Sequence, residues 1–231
     1  MSDLLQDIVR ALVLIARADR EVLEVTAVSL QISILALTLA SATAIPVGYL
    51  LLGSGRRIRD AAHWLLHTLT ALPTVGVGLG LYFVFSASGP LGWMEILYTR
   101  LAMVVGQFIL AFPIVAAVVL TALRRIPTVA LETATTIGLH GPRRMFVLLG
   151  EIRLAVVSAL MLAFARVFTE LGAAIILGGN IRGHTRTLTT VIALEHDRGD
   201  EPRAMALGII LVLIALLING AVHAAKGRER T

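Results

Sequence analysis

Five apolar stretches alternate with charged segments along this chain. They cover approximately residues 26–52, 63–86, 101–123, 154–177 and 204–225. A helix of about 20 apolar residues crosses the hydrocarbon core of a bilayer, and backbone groups inside that core must be hydrogen-bonded within the segment itself. The pattern therefore predicts an all-α integral membrane protein with about five transmembrane helices, formed by residues 24–225 and followed by a short tail, 226–231.

The first 23 residues have a different pattern, in which leucines and isoleucines recur at helical spacing and charged residues occupy the other side. The apolar positions are Leu4, Leu5, Ile8, Leu12 and Ile15. Such a pattern is typical of an amphipathic helix that lies on a membrane or on a neighbouring span. The apolar core at Ala11–Ala16 is too short for a secretory signal.

Composition supports a membrane protein and excludes several kinds of chemistry. The chain is 57% hydrophobic and 15% charged, with a mean hydropathy of +0.87, which is typical of multi-span proteins. Cysteine is absent, which excludes disulfides, thiol catalysis and thiolate metal sites. The sequence contains no ATP-binding P-loop, so the energy for uphill transport must come from another chain or from an ion gradient.

The positions of the arginines predict the orientation of the chain in the membrane. Successive loops between the apolar stretches lie on alternate sides of the membrane. The loops and tail on one side contain 11 Arg and Lys residues, and those on the other side contain 8. The larger set clusters at span ends, as at Arg56–Arg59, so the positive-inside rule places it in the cytoplasm, the amino terminus outside and the carboxyl terminus inside. The net charge of +5 is therefore a topology signal and does not indicate nucleic acid binding.

Pro73 interrupts the second apolar stretch and is followed by Thr74 and Gly76. Proline removes a backbone donor and tends to bend a helix. A bent helix rich in small residues is tolerated in a membrane where it lines a cavity or packs closely against a neighbour. Two interpretations follow: a translocation path at Pro73, Thr74 and Gly76, or helix packing alone.

Arg166 and Glu170 are charged residues four positions apart in the fourth stretch. Residues at that spacing share a helix face, and charge within a bilayer is costly and usually faces the interior of the bundle. We expect an intramembrane ion pair with a structural role; the alternative is a gate or a positive charge that attracts an anion. His63 and His67 have the same spacing, which suits a metal, but an interfacial position is the favoured interpretation.

A hydrophilic island at residues 124–153 separates the third and fourth stretches. It contains the motif Glu132-Thr133-Ala134-Thr135-Thr136-Ile137-Gly138. This motif resembles the Glu-Ala-Ala…Gly coupling motif of type I ABC importer permeases, in which two short cytoplasmic helices at a right angle dock in a cleft of the ATPase subunit. By this resemblance Glu132, Thr133, Ala134 and Gly138 are the coupling residues. Thr133 replaces the family alanine, and Glu151 stands where the family usually has a proline.

Further motifs are similar to the oxyanion permeases within that family. They are Ala71–Leu79, Gly89–Gly92, Glu170–Ala173 and Gly178–Arg186. The run Thr189–Glu195 and the five-span form are similar to the tungstate members in particular. The resemblance therefore implies import of tungstate, with molybdate or sulfate as alternatives.

The resemblance also implies the partners. It implies a homodimer with the path between two copies, two ABC ATPase subunits below it and an extracytoplasmic substrate-binding protein that delivers the anion. ATP and Mg belong to the ATPase subunits, and this chain carries no cofactor and no catalytic residue. It lies in the cytoplasmic (inner) membrane in contact with lipid. Segment 178–200 faces the binding protein as a docking surface or a re-entrant element; the alternative is a solvated loop.

Two other functional classes fit the sequence less well. An ion-coupled secondary transporter often has inverted repeats and unpaired membrane carboxylates, whereas no repeat is evident here and Glu170 has an arginine nearby. An intramembrane enzyme needs a nucleophile or a metal cluster in the bilayer. Neither Gly-x-Ser-x-Gly nor His-Glu-x-x-His occurs in the sequence.

Overall fold

The structure, a computed structural model, describes residues 20–136 and 138–227; at 131, 134, 219 and 221–227 it describes the backbone alone. The described part of the chain is helical and contains no strand. Its helices are α1 (Arg20–Leu52), α2 (Arg56–Leu69), α3 (Thr74–Phe85), α4 (Arg100–Leu123), α5 (Thr128–Thr136), α6 (Gly141–Glu151), α7 (Arg153–Phe168), α8 (Gly172–Gly178), α9 (Leu188–Asp197) and α10 (Glu201–Gly227). A single 3-10 turn, Gly92–Met94, lies between α3 and α4.

Helices α1 and α4 form the centre of the bundle and pack against each other. On α1, the small residues Ala36, Ala40 and Ala44 recur every four positions and are fully buried. Small residues at this spacing let helix backbones approach closely in a membrane, where lipid is as apolar as the side chains. Gly48 continues the row, since a Cβ there would lie 3.0 Å from Cγ1 of Val119 on α4.

Three helices, α1, α4 and α10, are long and apolar enough to cross a membrane on their own. Two bent pairs supply the remaining candidates. The axes of α2 and α3 differ by 96°, and those of α6 and α7 differ by 82°. The described chain therefore has three to five candidate spans, which agrees with the all-α membrane protein predicted from the sequence.

The second and fourth predicted spans are each divided into two helices. Residues 63–86 divide into α2 and α3 around Pro73, which has an extended backbone conformation directly before α3. Proline lacks the amide hydrogen that a continuous helix needs. Residues 154–177 divide between α7 and α8. There, the Glu170 side chain accepts a hydrogen bond from the Ala173 amide at 3.2 Å and so starts a new helix.

The amphipathic helix predicted for residues 1–23 lies almost entirely outside the described residues, which begin at 20. Residues 20–24, on either side of the expected boundary, are helical and belong to the described part of α1. At this end of α1, the Glu21 carboxylate makes ion pairs with Arg182 (3.1 Å), Arg186 (3.0 Å) and Arg203. These contacts join the start of α1 to the segment before α9 and to the start of α10.

Cationic side chains lie at both ends of the bundle. At the end that carries α5 and α6, which we call the α5–α6 end, Arg124 contacts Asp60 at 2.8 Å and Arg59 donates to the Leu52 carbonyl at 3.1 Å. At the opposite end, Arg100 donates from Nε to a backbone carbonyl of the segment before α9 at 2.6 Å. Arginines of the two sets defined from the sequence thus lie at opposite ends of the bundle: Arg59 and Arg124 at the α5–α6 end, and Arg100 at the other.

Segment 178–200, at the opposite end, contains helix α9. Thr187 and Thr190 form a capping box at its start, in which each side chain bonds to the backbone amide of the other. Leu188 and Val191 are buried, and α9 packs on α10. The segment is therefore a folded element, which contradicts the solvated-loop alternative.

Candidate functional site

The segment that resembles a coupling motif forms the two short helices α5 and α6, joined through Gly138. Gly138 has a φ of +78°, and its amide donates to the Thr135 carbonyl at 3.0 Å. A Cβ would strain this left-handed conformation, although nothing lies within 4 Å of the position where a Cβ would be. The turn requires glycine because of its positive φ and not because of crowding. The open space around it leaves room for another protein.

Helix α5 presents Glu132 and Thr133 at its surface, where both are exposed. The Thr133 hydroxyl donates to the Val129 carbonyl at 2.7 Å and is satisfied within its own helix. Within the part of the chain that the structure describes, the Glu132 carboxylate makes no ion pair. Ala134 lies on the same helix, which is described there by its backbone alone. An exposed carboxylate without a partner suits a charge-assisted contact with another protein.

Apolar side chains are exposed on both short helices. Val129 on α5 is 70% exposed and Phe146 on α6 is 68% exposed. Apolar groups exposed within an otherwise polar segment are typical of a protein interaction surface. The α5–α6 segment therefore combines a free carboxylate, exposed apolar groups and an open turn.

Helix α6 attaches this segment to the bundle. Leu148 on α6 is 2% exposed and belongs to the main core, and Tyr49 on α1 donates from its hydroxyl to the Gly141 carbonyl at 3.4 Å. Glu151, at the position of the family proline, is the last residue of α6, and α7 begins at Arg153 with its axis turned by 82°. Only one residue, Ile152, separates the two helices.

The residues predicted for a translocation path lie at the start of α3. Pro73 precedes the helix, Thr74 is half-buried, and Gly76 is exposed with only the Pro73 ring within 4 Å of a Cβ. Close packing involves another glycine, Gly78, where a Cβ would lie 3.0 Å from the Ala173 Cα of α8. The packing interpretation therefore applies to Gly78, whereas Gly76 lies on an open face.

Glu170 lies between α7 and α8 with its side chain only 3% exposed. Its Oε1 accepts from the Ala173 amide, and its Oε2 lies 4.0 Å from Nη1 of Arg166, whose side chain is 41% exposed. A Cβ on Gly172 would lie 3.1 Å from Thr74 Oγ1 and 3.4 Å from Glu170 Oε1. The fold thus brings Thr74 and the charged pair together at the start of α8.

Two polar residues that support Glu170 were not predicted as site residues. Gln107, buried on α4, donates from Nε2 to the Val167 carbonyl at 3.2 Å. Thr189 on α9 donates to the Glu170 carbonyl at 2.8 Å. Gln107 is an amide in an apolar stretch, which is a usable sequence signal, since polar groups in membrane helices are costly and mark functional positions. The sequence gives no such signal for Thr189, because its hydrogen-bond partner, the Glu170 carbonyl, is distant in the sequence.

His63 and His67 share one hydroxyl. Their Nε2 atoms lie 3.1 and 3.4 Å from Thr121 Oγ1, and Thr121 donates its own proton to the Ala117 carbonyl, so its oxygen accepts from both imidazoles. The contact ties α2 to α4. Among residues 20–136 and 138–227, no group of three His, Cys, Asp or Glu side chains is placed to hold a metal ion.

We expect Thr189→Val to lower the stability of the bundle by about 1 kcal/mol, the typical net contribution of a buried hydrogen bond. Valine keeps the shape of threonine but removes the donor to the Glu170 carbonyl. Thermal unfolding of the purified protein in detergent measures the change. Thr38→Val is the control, because the Thr38 hydroxyl is exposed and bonds only within α1. An equal fall in both variants would contradict this role of Thr189.

Known proteins resemble this chain along most of its length. Residues 36–228 match the family described as binding-protein-dependent transport system inner membrane component. The tungstate uptake system permease protein TupB of Peptoclostridium acidaminophilum is 32% identical, over 94% of this chain and 95% of its own length. TupB of Campylobacter jejuni is 38% identical, over 70% of this chain and 68% of its own length.

A solved structure shares the fold. The crystal structure of an amino acid ABC transporter with histidines superposes with a TM-score of 0.66, over 94% of this chain and 97% of that chain, at 15% identity. An identity this low shows the arrangement of helices and nothing about the transported molecule. The family match spans most of the sequence and includes both short helices of the α5–α6 segment. This chain therefore belongs to the family of binding-protein-dependent transport system inner membrane components.

Proposed function

We propose that this chain is the permease subunit of an ABC importer that moves an oxyanion, with tungstate as the first candidate. Two relatives are named for tungstate uptake. The observation that carries the proposal is the α5–α6 segment, in which two helices with exposed apolar groups meet at a left-handed glycine with φ +78°. A protein that takes its energy from a separate ATPase needs such a docking element.

The proposed assembly is a homodimer with the path between two copies. Two ATPase subunits, which bind ATP and Mg, dock on the α5–α6 segments through Glu132, Thr133, Ala134 and Gly138. The arginines at this end favour the cytoplasm, which puts the carboxyl terminus inside and the amino terminus outside. A substrate-binding protein then docks at the opposite end, where α9 lies. The chain itself holds no cofactor.

The proposed mechanism is alternating access. Closure of the ATPase pair around ATP displaces α6, and the short junction at 151–153 passes the displacement to α7. Glu170 lies at the far end of α7 and bonds to the start of α8, which packs on α3. Movement at the α5–α6 end thereby reaches the Pro73–Gly76 region, where Thr74 offers a hydroxyl to the passing anion.

Other functions receive less support. An ion-coupled secondary transporter is not favoured, because a relative from Haloferax volcanii is named a probable anion ABC transporter permease and Glu170 already has Arg166 and the Ala173 amide as partners. Molybdate and sulfate stay as alternatives to tungstate. All three anions are tetrahedral and doubly charged, and nothing in the described path distinguishes them.

The test is the tungsten and molybdenum content of cells with and without this gene, grown in trace tungstate and molybdate together. We expect tungsten to fall to background in the deletion strain, molybdenum to stay unchanged, and the wild-type gene to restore uptake. Loss of both metals would widen the substrate to oxyanions in general. Unchanged levels of both would exclude tungstate, and sulfate uptake would be measured next. Failure of the tagged chain to co-purify with an ATPase would overturn the ABC assignment itself.

A further inference from the structure

A cavity of about 730 Å³ lies at the α5–α6 end, away from the Glu170 region. It is an open cavity, bordered by the end of α2, the end of α4 and the junction between α6 and α7. Its polar lining consists of His67, Thr121, Arg125, Glu151 and Arg153. Sites for small ligands commonly measure about 300–1,000 Å³, so the cavity is large enough for a hydrated anion or a lipid headgroup.

Arg125 gives this cavity a positive charge that no carboxylate neutralises. Arg124, its neighbour in the sequence, is paired with Asp60 at 2.8 Å. Arg125 has no ion pair or side-chain hydrogen bond to any other residue that the structure describes. The lining carries the guanidinium groups of Arg125 and Arg153 against the single carboxylate of Glu151. The guanidinium group of Arg125, which has no ion pair within the described residues, therefore favours an anionic ligand.

The backbone of α7 adds to this attraction. The first residues of α7, Arg153–Ala155, line the cavity, and the helix starts without a side-chain cap. The Ala155 amide already donates to the Ile152 carbonyl at 2.8 Å, so the attraction comes from the helix dipole, which favours an anion at such an end. On the opposite wall, His67 Nε2 lies 3.4 Å from Thr121 Oγ1 and adds polar groups.

We propose that this cavity is an oxyanion site, bound by Arg125, Arg153 and the start of α7. Guanidinium groups bind tetrahedral oxyanions and phosphates through paired, charge-assisted hydrogen bonds. Two sources offer this chemistry. The first is the transported oxyanion, a choice that rests on the proposed function. The second is the phosphate of an anionic lipid, since basic pockets between membrane helices bind such headgroups.

The test compares Arg125→Gln with Arg57→Gln in the full-length chain. Arg57 is an exposed arginine of α2 that does not line the cavity, so it controls for loss of one charge. In the first arm, the protein in phosphatidylcholine nanodiscs is dialysed against tungstate, and bound tungsten is measured. In the second arm, the protein is purified from membranes that contain phosphatidylglycerol and cardiolipin, and the retained lipid is measured by native mass spectrometry.

We expect Arg125→Gln, but not Arg57→Gln, to weaken binding by about tenfold in at least one arm. A loss in the first arm alone identifies the transported anion, a loss in the second alone identifies the lipid phosphate, and a loss in both shows that the cavity accepts either. Arg153→Gln replaces Arg125→Gln if the latter does not fold. Equal binding by the two folded variants and the wild type in both arms, or no binding by the wild type, would overturn the proposal. Whole-cell tungsten uptake would still decide the proposed function separately.

Discussion

Replacing Gly138 by glutamate should abolish uptake of the transported anion while leaving membrane insertion intact. At a φ of +78°, a residue with a Cβ costs about 1–2 kcal/mol relative to glycine. The larger effect comes from the new carboxylate, which would have to be buried without a partner wherever an ATPase docks closely on the turn. Unpaired buried charge is strongly unfavourable, so the two proteins should separate.

Two control variants separate backbone strain from loss of docking. Gly199 has a φ of +76° with open surroundings at the opposite end, so Gly199→Glu introduces similar strain and charge away from the α5–α6 segment. Gly55 has a φ of −57° and is exposed before α2, so Gly55→Glu adds the charge without the strain. Co-purification of the ATPase is measured for all three variants, and uptake is compared between Gly138→Glu and Gly55→Glu, because Gly199 lies in the segment proposed to face the binding protein. Normal uptake by Gly138→Glu would show that this segment is not the docking element.

Arg166→Ala should damage folding or gating more than anion affinity. The substitution removes the cation that faces the buried Glu170 carboxylate at 4.0 Å. Removing one partner of a buried ion pair costs about 3–5 kcal/mol. Because the Arg166 side chain is 41% exposed, the pair is only partly buried, and we expect a smaller loss of stability, about 1–3 kcal/mol.

A second substitution shows whether the charge of Glu170 causes the loss. Glu170→Gln keeps an oxygen that can accept from the Ala173 amide but carries no charge. In the double variant, thermal unfolding should therefore recover most of the stability lost in Arg166→Ala, a coupling that a double-mutant cycle measures. If Arg166→Ala instead expresses and unfolds as the wild type does but changes anion selectivity sharply, that result would show that Arg166 contacts the transported anion and does not stabilise Glu170.

The helical fold followed from the sequence because apolar length is decisive in a membrane. An apolar stretch such as 101–123 satisfies its backbone hydrogen bonds in lipid by forming a helix, and it forms α4 as expected. The bend at Pro73 was also predictable, because the missing amide hydrogen is a property of the residue itself. The turn at Gly138 belongs to the same class, since only glycine adopts its φ without strain.

Breaks and cavities that depend on distant residues were not predictable. Residues 154–177 look like one span because no proline interrupts them. The Thr189 hydroxyl of α9 donates to the Glu170 carbonyl at this break, and only the tertiary fold brings the two groups within 2.8 Å. The cavity beside Arg125 likewise needs α2, α4 and α7 in place before its lining exists. Local sequence patterns therefore predict the helices, whereas the break at Glu170 and the cavity beside Arg125 depend on contacts between helices.

Glu21 makes the two ends of the bundle physically different. Its carboxylate links the start of α1 to Arg203 at the start of α10 and to Arg182 and Arg186 before α9. The first and last helices are therefore held together at that end by charge. Dissolved ions screen such contacts over a Debye length of about 8 Å at physiological ionic strength, although partly buried pairs are screened less. We therefore expect a higher salt concentration on that side of the membrane to weaken the link between α1 and α10.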